Sequence, residues 1–240
     1  MMDNAPEQLA AYINSLSDFV KFTEIDGNYG HIGATLADAV LQANNNYERN
    51  VRSRIVRIRT LYADAPRLSD LRRVLLRITI QEFLNWNGIR KPSTFLDLVD
   101  LLQREVVDTE DDLRQWLSTP DSHEKLLAIR FIGPKTADYL KILVGLPVAA
   151  MDRHLLGFLE LAGLGKLSYR AGQDVVHRTA DLMQLDRAHL DHSIWRYMSG
   201  SKASAVDGMP LHGHPADFCL RGTTLSHKKN AQVRGTVRNS

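Results

Sequence analysis

Apolar residues recur along most of this chain at the three- and four-residue steps of amphipathic helices, and the strict alternation of a strand is almost absent. Residues 6–22 read as a first helix, followed by a turn at Asp26, Gly27, Asn28, Tyr29 and Gly30. Leu36, Val40, Tyr47, Val51, Ile55 and Ile58 then fall near one helical face. Asn44, Asn45 and Asn46 interrupt that run, because asparagine side chains compete for backbone hydrogen bonds. Leu68, Leu71, Leu75 and Ile78 mark a third helix. A fourth carries Phe95, Leu98, Val99 and Leu102 with Ser93 as its N-cap, and Leu113, Trp116 and Leu117 mark a short fifth. After a pair of short helices come three more, near 153–162, 169–183 and 186–199. The pattern therefore predicts an all-α fold. Beyond residue 200 the periodicity stops, small and polar residues prevail, and residues 201–240 read as a flexible tail.

The helix pair near the middle carries the first chemical signal. Asp121, Ser122, His123 and Glu124 have capping-box spacing, with aspartate as the cap, and Leu126, Leu127 and Ile129 follow as an apolar face. Gly133–Pro134 breaks the chain, and Pro134 suits the first turn of a new helix bearing Ala137, Leu140, Leu143 and Val144. Two helices thus flank a sharp turn at 130–134. The free N–H groups opening the second helix form an anion site, and Gly133 leaves room for a phosphate. An ordinary αα-corner has the same spacing, so the pattern alone leaves both readings open.

Seventeen positions after Lys135 stands Asp152, within Val-Ala-Ala-Met-Asp-Arg-His-Leu. A lysine attacks a sugar carbon only as the neutral amine, which requires a lowered pKa; otherwise Lys135 is an exposed cation against phosphate. A carboxylate at Asp152 stabilises positive charge developing on a sugar, caps the following helix, or does both.

These residues together resemble the helix-hairpin-helix DNA glycosylases, the superfamily of endonuclease III and 8-oxoguanine glycosylase. The resemblance rests on Ile132, Gly133, Pro134, Lys135, Thr136, Ala137 and Asp138, then Val148, Ala149, Ala150, Met151, Asp152, Arg153 and His154. It extends more weakly to Val40, Leu41, Gln42 and Ala43 and to Ser193, Ile194, Trp195, Arg196 and Tyr197. It implies a two-lobed helical architecture: residues 33–146 as a bundle ending in the hairpin, with 1–32 and 147–200 forming the second lobe. It further implies Lys135 as the Schiff-base lysine and Asp152 as the catalytic aspartate. Arg130, Ile132, Gly133, Pro134 and Thr136 would lie on phosphate, and Gln42 would fill the gap left by an extruded base. The partner implied is double-stranded DNA with a damaged base or an abasic site, bound by a monomer. The hairpin carbonyls would take a monovalent cation. Two other readings stay open: a DNA-binding protein without catalysis, and a glycosylase without the lyase step in which Lys135 only touches phosphate.

The chain departs from that family at Phe131, which stands where the first hairpin glycine is expected; positive φ there would be costly. It has a single cysteine, Cys219, and so lacks the ligands for the four-cysteine iron–sulfur cluster of some members. This favours the cluster-free branches and, by the same analogy, an oxidised purine as the base. His192 and Trp195, on the last helix, are candidates for a base pocket, though aromatics at helical spacing are more often core.

Composition adds bounds. A chain of 240 residues holds one large or two modest domains. Without a long apolar run, a signal-like N-terminus or paired cysteines, the expectation is an intracellular protein, cytoplasmic or nuclear, away from membranes. No metal-ligand spacing stands out, so no catalytic metal is expected. The net charge is only +2, yet residues 49–91 hold eleven Lys and Arg against three acids, while 97–112 hold seven acids against one Arg. Arg52, Arg54, Arg57 and Arg59 are therefore candidate phosphate contacts, unless these faces are simply solvated.

Overall fold

A computed structural model describes residues 4–203, and every regular element among them is helical. The expected all-α fold is met. The tail expected at 201–240 lies almost wholly outside the described residues, as does Cys219.

Twelve α-helices follow in order: α1 (Ala5–Ser15), α2 (Ile32–Gln42), α3 (Arg52–Leu61), α4 (Leu68–Leu75), α5 (Ile80–Leu84) and α6 (Arg90–Arg104), then α7 (Glu110–Leu117), α8 (Ser122–Leu127), α9 (Pro134–Leu143), α10 (Arg153–Leu161), α11 (Tyr169–Leu182) and α12 (Arg187–Ala203). A π-helical turn, Tyr47–Val51, leads into α3. The three asparagines break the chain as expected: Asn44 takes φ +54°, and the Asn46 side chain caps the π turn through the Arg49 amide.

Four local expectations need correction. The first helix ends at Ser15, not near 22. Residues 16–31 are irregular, and their turn locks onto the end of α9, where the Asn28 amide donates to the Leu143 carbonyl at 2.7 Å. Ser93 lies inside α6 and does not cap it; that helix starts at Arg90 because Pro92 is tolerated in a first turn. Asp121 has helical dihedrals and makes no capping hydrogen bond. Its carboxylate pairs instead with Lys125 at 2.7 Å, and the capping box belongs to α7, between Thr109 and Asp112. The five-residue α5, capped by Thr79 and closed by left-handed Asn85, was not expected.

The apolar side chains gather into two large clusters. One surrounds α2, which is buried on every side, and joins it to Ile58, Leu71, Phe83, Phe95, Leu102 and Leu140. The other brings Leu9 and Ile13 of α1 onto Leu155, Phe158, Val176 and Ile194. Among the described residues no helix is long and apolar enough to cross a membrane.

Candidate functional site

The hairpin between α8 and α9 forms as its residues dictate. Gly133 is the N-cap of α9 and Pro134 its first residue. Gly133 has extended backbone, and a Cβ there would meet nothing within 4 Å, so the space before the helix is open. The left-handed backbone is at Phe131, with φ +71°. A bulky residue in that region costs about 1–2 kcal/mol relative to its ordinary conformations. The Phe131 ring is half exposed and carries two guanidiniums, Arg130 at 4.6 Å and Arg90 at 5.5 Å from its centroid. Ile132 is buried beneath the turn, and Thr136 is partly buried on the first turn of α9.

Lys135 points from α9 into a partly buried environment. Burial pulls its ammonium below the ordinary lysine range, while Asp152, Asp191 and Asp38 pull the other way. Its Nζ lies 4.9 Å from the centre of the Tyr139 ring. Asp152 caps α10: Oδ1 accepts the amides of His154 at 2.7 Å and Leu155 at 3.1 Å. The fold thus brings Lys135 and Asp152 within electrostatic reach, and His154 meets Asp152 through its backbone amide.

Behind them stand groups that the sequence did not single out. Asp191 of α12 accepts the Ala150 amide at 2.6 Å, fixing the irregular segment that delivers Asp152. Burial and the neighbouring carboxylate of Asp152 push Asp191 up to about 7. His177 accepts the Ala149 amide at 2.9 Å, and burial lowers its pKa, as suits an acceptor. Lys91 donates to the carbonyls of Val40 at 3.2 Å, of Ala43 at 2.7 Å and of Leu41, closing the C-terminus of α2. Burial, then the nearby charge of Lys135, lowers Lys91 to about 8.

The remaining candidates separate. Gln42 ends α2, and its Oε1 is buried with no hydrogen-bond partner among the described residues. Arg52 pairs with Glu48 at 3.1 Å. Arg54 donates to the carbonyls of Asn50 and, at 2.8 Å, Asn85, while Arg57 donates to those of Glu82 at 3.2 Å and Phe83 at 3.1 Å. Arg59 stacks over Tyr29 at 5.2 Å. These arginines bind α3 to its neighbours. His192 and Trp195 stack at 6.1 Å, and Phe22, from the irregular segment, meets His192 edge-on at 5.4 Å. Burial, then Arg196, lowers His192 to about 4, so it is neutral near pH 7. Phe22 was missed because residues 16–22 read as the end of the first helix. A shallow cavity of about 360 Å³ lined by Pro6, Glu7, Arg178, Asp181 and Leu182 contains none of these residues. Among the described residues no three His, Cys, Asp or Glu side chains converge as metal ligands.

Against known proteins, the arrangement falls in a family before it falls beside any single protein. Residues 7–199 match the family described as "Domain of unknown function (DUF8548)", and the chain belongs to that family. Among solved structures it is similar to an 8-oxoguanine glycosylase/lyase of Methanocaldococcus jannaschii, crystallised with a 15mer DNA containing 8-oxoguanine. That likeness has 19% identity and a TM-score of 0.48, and covers 83% of this chain and 89% of the other. No curated protein matches.

Proposed function

We propose that this protein is a DNA-repair glycosylase with lyase activity, using Lys135 as nucleophile and Asp152 as the carboxylate at the sugar. The observation that carries the reading is a lysine whose proton is loosened by burial, at the opening of a phosphate-accessible hairpin, within reach of a carboxylate seventeen residues away. Neutral Lys135 Nζ attacks C1′ of the damaged nucleotide. The N–C1′ bond forms as the glycosidic bond breaks, and the base leaves with the electron pair and takes up a proton. Asp152 stabilises the positive charge on the sugar. Ring opening gives an imine on Lys135. Loss of a C2′ proton then expels the 3′ phosphate and cuts the strand.

Double-stranded DNA containing an oxidised base or an abasic site is the proposed substrate, held by the first turn of α9 and by Arg130. Phe22, His192 and Trp195 offer an aromatic wall for an extruded base. Gln42, with one polar atom unsatisfied, is the residue proposed to fill the gap left by the base. The two apolar clusters are proposed as the two lobes between which DNA lies. The hairpin fits a monovalent cation only in part: the carbonyls of Ile129 and Arg130 each already accept a hydrogen bond, from the Ile132 amide at 3.1 Å and the Thr94 hydroxyl at 3.3 Å. No step depends on such an ion. A second reading, DNA binding without catalysis, draws on Phe131, whose ring stands where a bare hairpin backbone would meet phosphate.

Borohydride reduction on duplexes each bearing one lesion or an abasic site tests the proposal. The wild-type protein is expected to be trapped covalently and Lys135→Ala not at all. Trapping of Lys135→Ala would assign the chemistry to another amine. If neither protein is trapped and no duplex is cut, base release decides: a freed base leaves a glycosylase without the lyase step, and no freed base leaves the non-catalytic reading.

A further inference from the structure

Lys135 and Tyr139 lie four residues apart on α9 and so stand on one face, the amine above the ring. The ring is anchored from below. Its hydroxyl donates to Oδ1 of Asp38 at 3.2 Å, while Oδ2 of Asp38 accepts from Tyr29 at 2.6 Å and Tyr47 at 3.3 Å. The Tyr29 and Tyr47 hydroxyls are 3.4 Å apart. Asp38 is fully buried in α2, and three tyrosine hydroxyls serve its carboxylate.

Core packing alone does not account for this cluster. A buried carboxylate is costly, and an apolar side chain of similar volume would pack the centre of α2 at less expense. What the cluster does achieve is to fix the plane and height of the ring that meets Lys135, and to put a titratable carboxylate behind it.

We infer that Tyr139, held by Asp38 together with Tyr29 and Tyr47, is a positioning residue for Lys135: it seats the amine over its ring and ties the charge of that amine to the buried Asp38 carboxylate. The inference rests on Lys135 being the nucleophile proposed above, and concerns how that nucleophile is prepared. The groups facing Lys135 are Asp38 from α2, Lys91 from α6, Tyr139 on α9, Asp152 at the start of α10 and Asp191 from α12. Those facing Asp38 are Tyr29, Tyr47, Tyr139 and Asp26. Burial pushes Asp38 up to about 6, against the pull of its tyrosine hydrogen bonds. Ionised Asp38 and the ring face both favour the ammonium form of Lys135, whereas burial favours the amine. Asparagine at 38 removes the negative charge, so the lysine loses its proton at lower pH. Phenylalanine at 139 keeps the ring but withdraws a donor from Asp38, which then ionises less readily and shifts Lys135 in the same direction, more weakly.

The test uses the full chain and two readouts. Acetic anhydride labelling across a pH series, resolved at Lys135 by mass spectrometry, reports the amine without requiring activity, with exposed Lys166 as internal control. Borohydride trapping on an abasic duplex, followed against pH, reports chemistry. Asp38→Asn is expected to lower the Lys135 labelling midpoint by about half a pH unit or more, Tyr139→Phe by less, and neither to move Lys166. Well above the midpoint, where the proton no longer limits, Tyr139→Phe is still expected to trap several-fold more slowly, because the seat is loosened. If Asp38→Asn does not fold, Tyr139→Phe decides through the same two readouts. An unmoved Lys135 midpoint together with wild-type trapping kinetics in Tyr139→Phe overturns the inference, even when Lys135 is trapped. A wild-type protein that is never trapped defeats the nucleophile reading instead, whatever the labelling shows.

Discussion

Asp152 caps α10 and is also the carboxylate proposed to act at the sugar, and substitution separates the two roles. Oδ1 holds two amides of the first turn of α10. Asparagine caps as well as aspartate, so Asp152→Asn should keep its melting temperature while base release falls roughly a hundredfold or more. Asp152→Ala should lose activity and, in addition, about 1 kcal/mol of stability. Base release at the wild-type rate by Asp152→Asn would leave only the cap. Phe131 poses the opposite question, since its backbone is strained and its ring is engaged. Phe131→Ala keeps the positive φ and discards both guanidinium contacts, so it should destabilise by about 1–2 kcal/mol in urea titrations. Phe131→Gly discards the contacts but relieves the strain, and should stay within about 1 kcal/mol of wild type. Equal losses for the two variants would mean that the backbone relaxes and stores no strain.

At the scale of elements, Asp138 joins three helices. From α9 it accepts the Tyr169 hydroxyl at 2.7 Å and Gln173 Nε2 at 2.8 Å, both on α11, and it lies 3.8 Å from His123 Nδ1 on α8 and 3.4 Å from Lys141 Nζ. Asp138→Ala strands those half-buried donors and should cost about 2–3 kcal/mol in chemical denaturation. Asp138→Asn, which still accepts, should cost less than half as much. A loss below about 1 kcal/mol for Asp138→Ala would show that apolar packing alone joins these helices. The same geography explains what the sequence disclosed. The hairpin was legible because Gly133 and Pro134 act on their own backbone; Lys135 and Asp152 were singled out by the family resemblance, and the structure brings them within electrostatic reach. Asp38 was not legible: it reads as one more polar residue on an amphipathic helix, and its burial is decided by Tyr29, Tyr47 and Tyr139 from separate segments. Lys91 was hidden for the same reason, since it closes α2 some fifty residues away. Ser93 misled because a good cap residue stood three places inside a helix that starts without one. The end of α1 was missed because residues 16–22 keep apolar residues at helical spacing, while the Phe22 amide is taken up by the Ser193 hydroxyl.

For the molecule as a whole, the overall charge says little and the placement of individual cations says more. The arginine-rich stretch that looked like a phosphate track uses much of its charge internally. Arg54 and Arg57 bind carbonyls, Arg52 a glutamate, and Arg67 meets Asp108 of the acidic stretch at 3.5 Å. Arg90 and Arg130 are different. Both are exposed, both flank Phe131, and both stand beside the open start of α9, so phosphate contacts should concentrate there. Each phosphate neutralised on duplex DNA contributes about −0.9 to the slope of log K against log salt. Arg90→Ala and Arg130→Ala should therefore each weaken binding to undamaged duplex, whatever its sequence, and each flatten that slope by about 1. Arg57→Ala supplies the contrast: it should lower thermal stability by releasing α5 from α3, yet leave the salt slope unchanged. Fluorescence anisotropy over a salt series distinguishes these outcomes. A slope that flattens for Arg57→Ala but not for Arg90→Ala or Arg130→Ala would place the DNA along α3 and remove the hairpin from the interface.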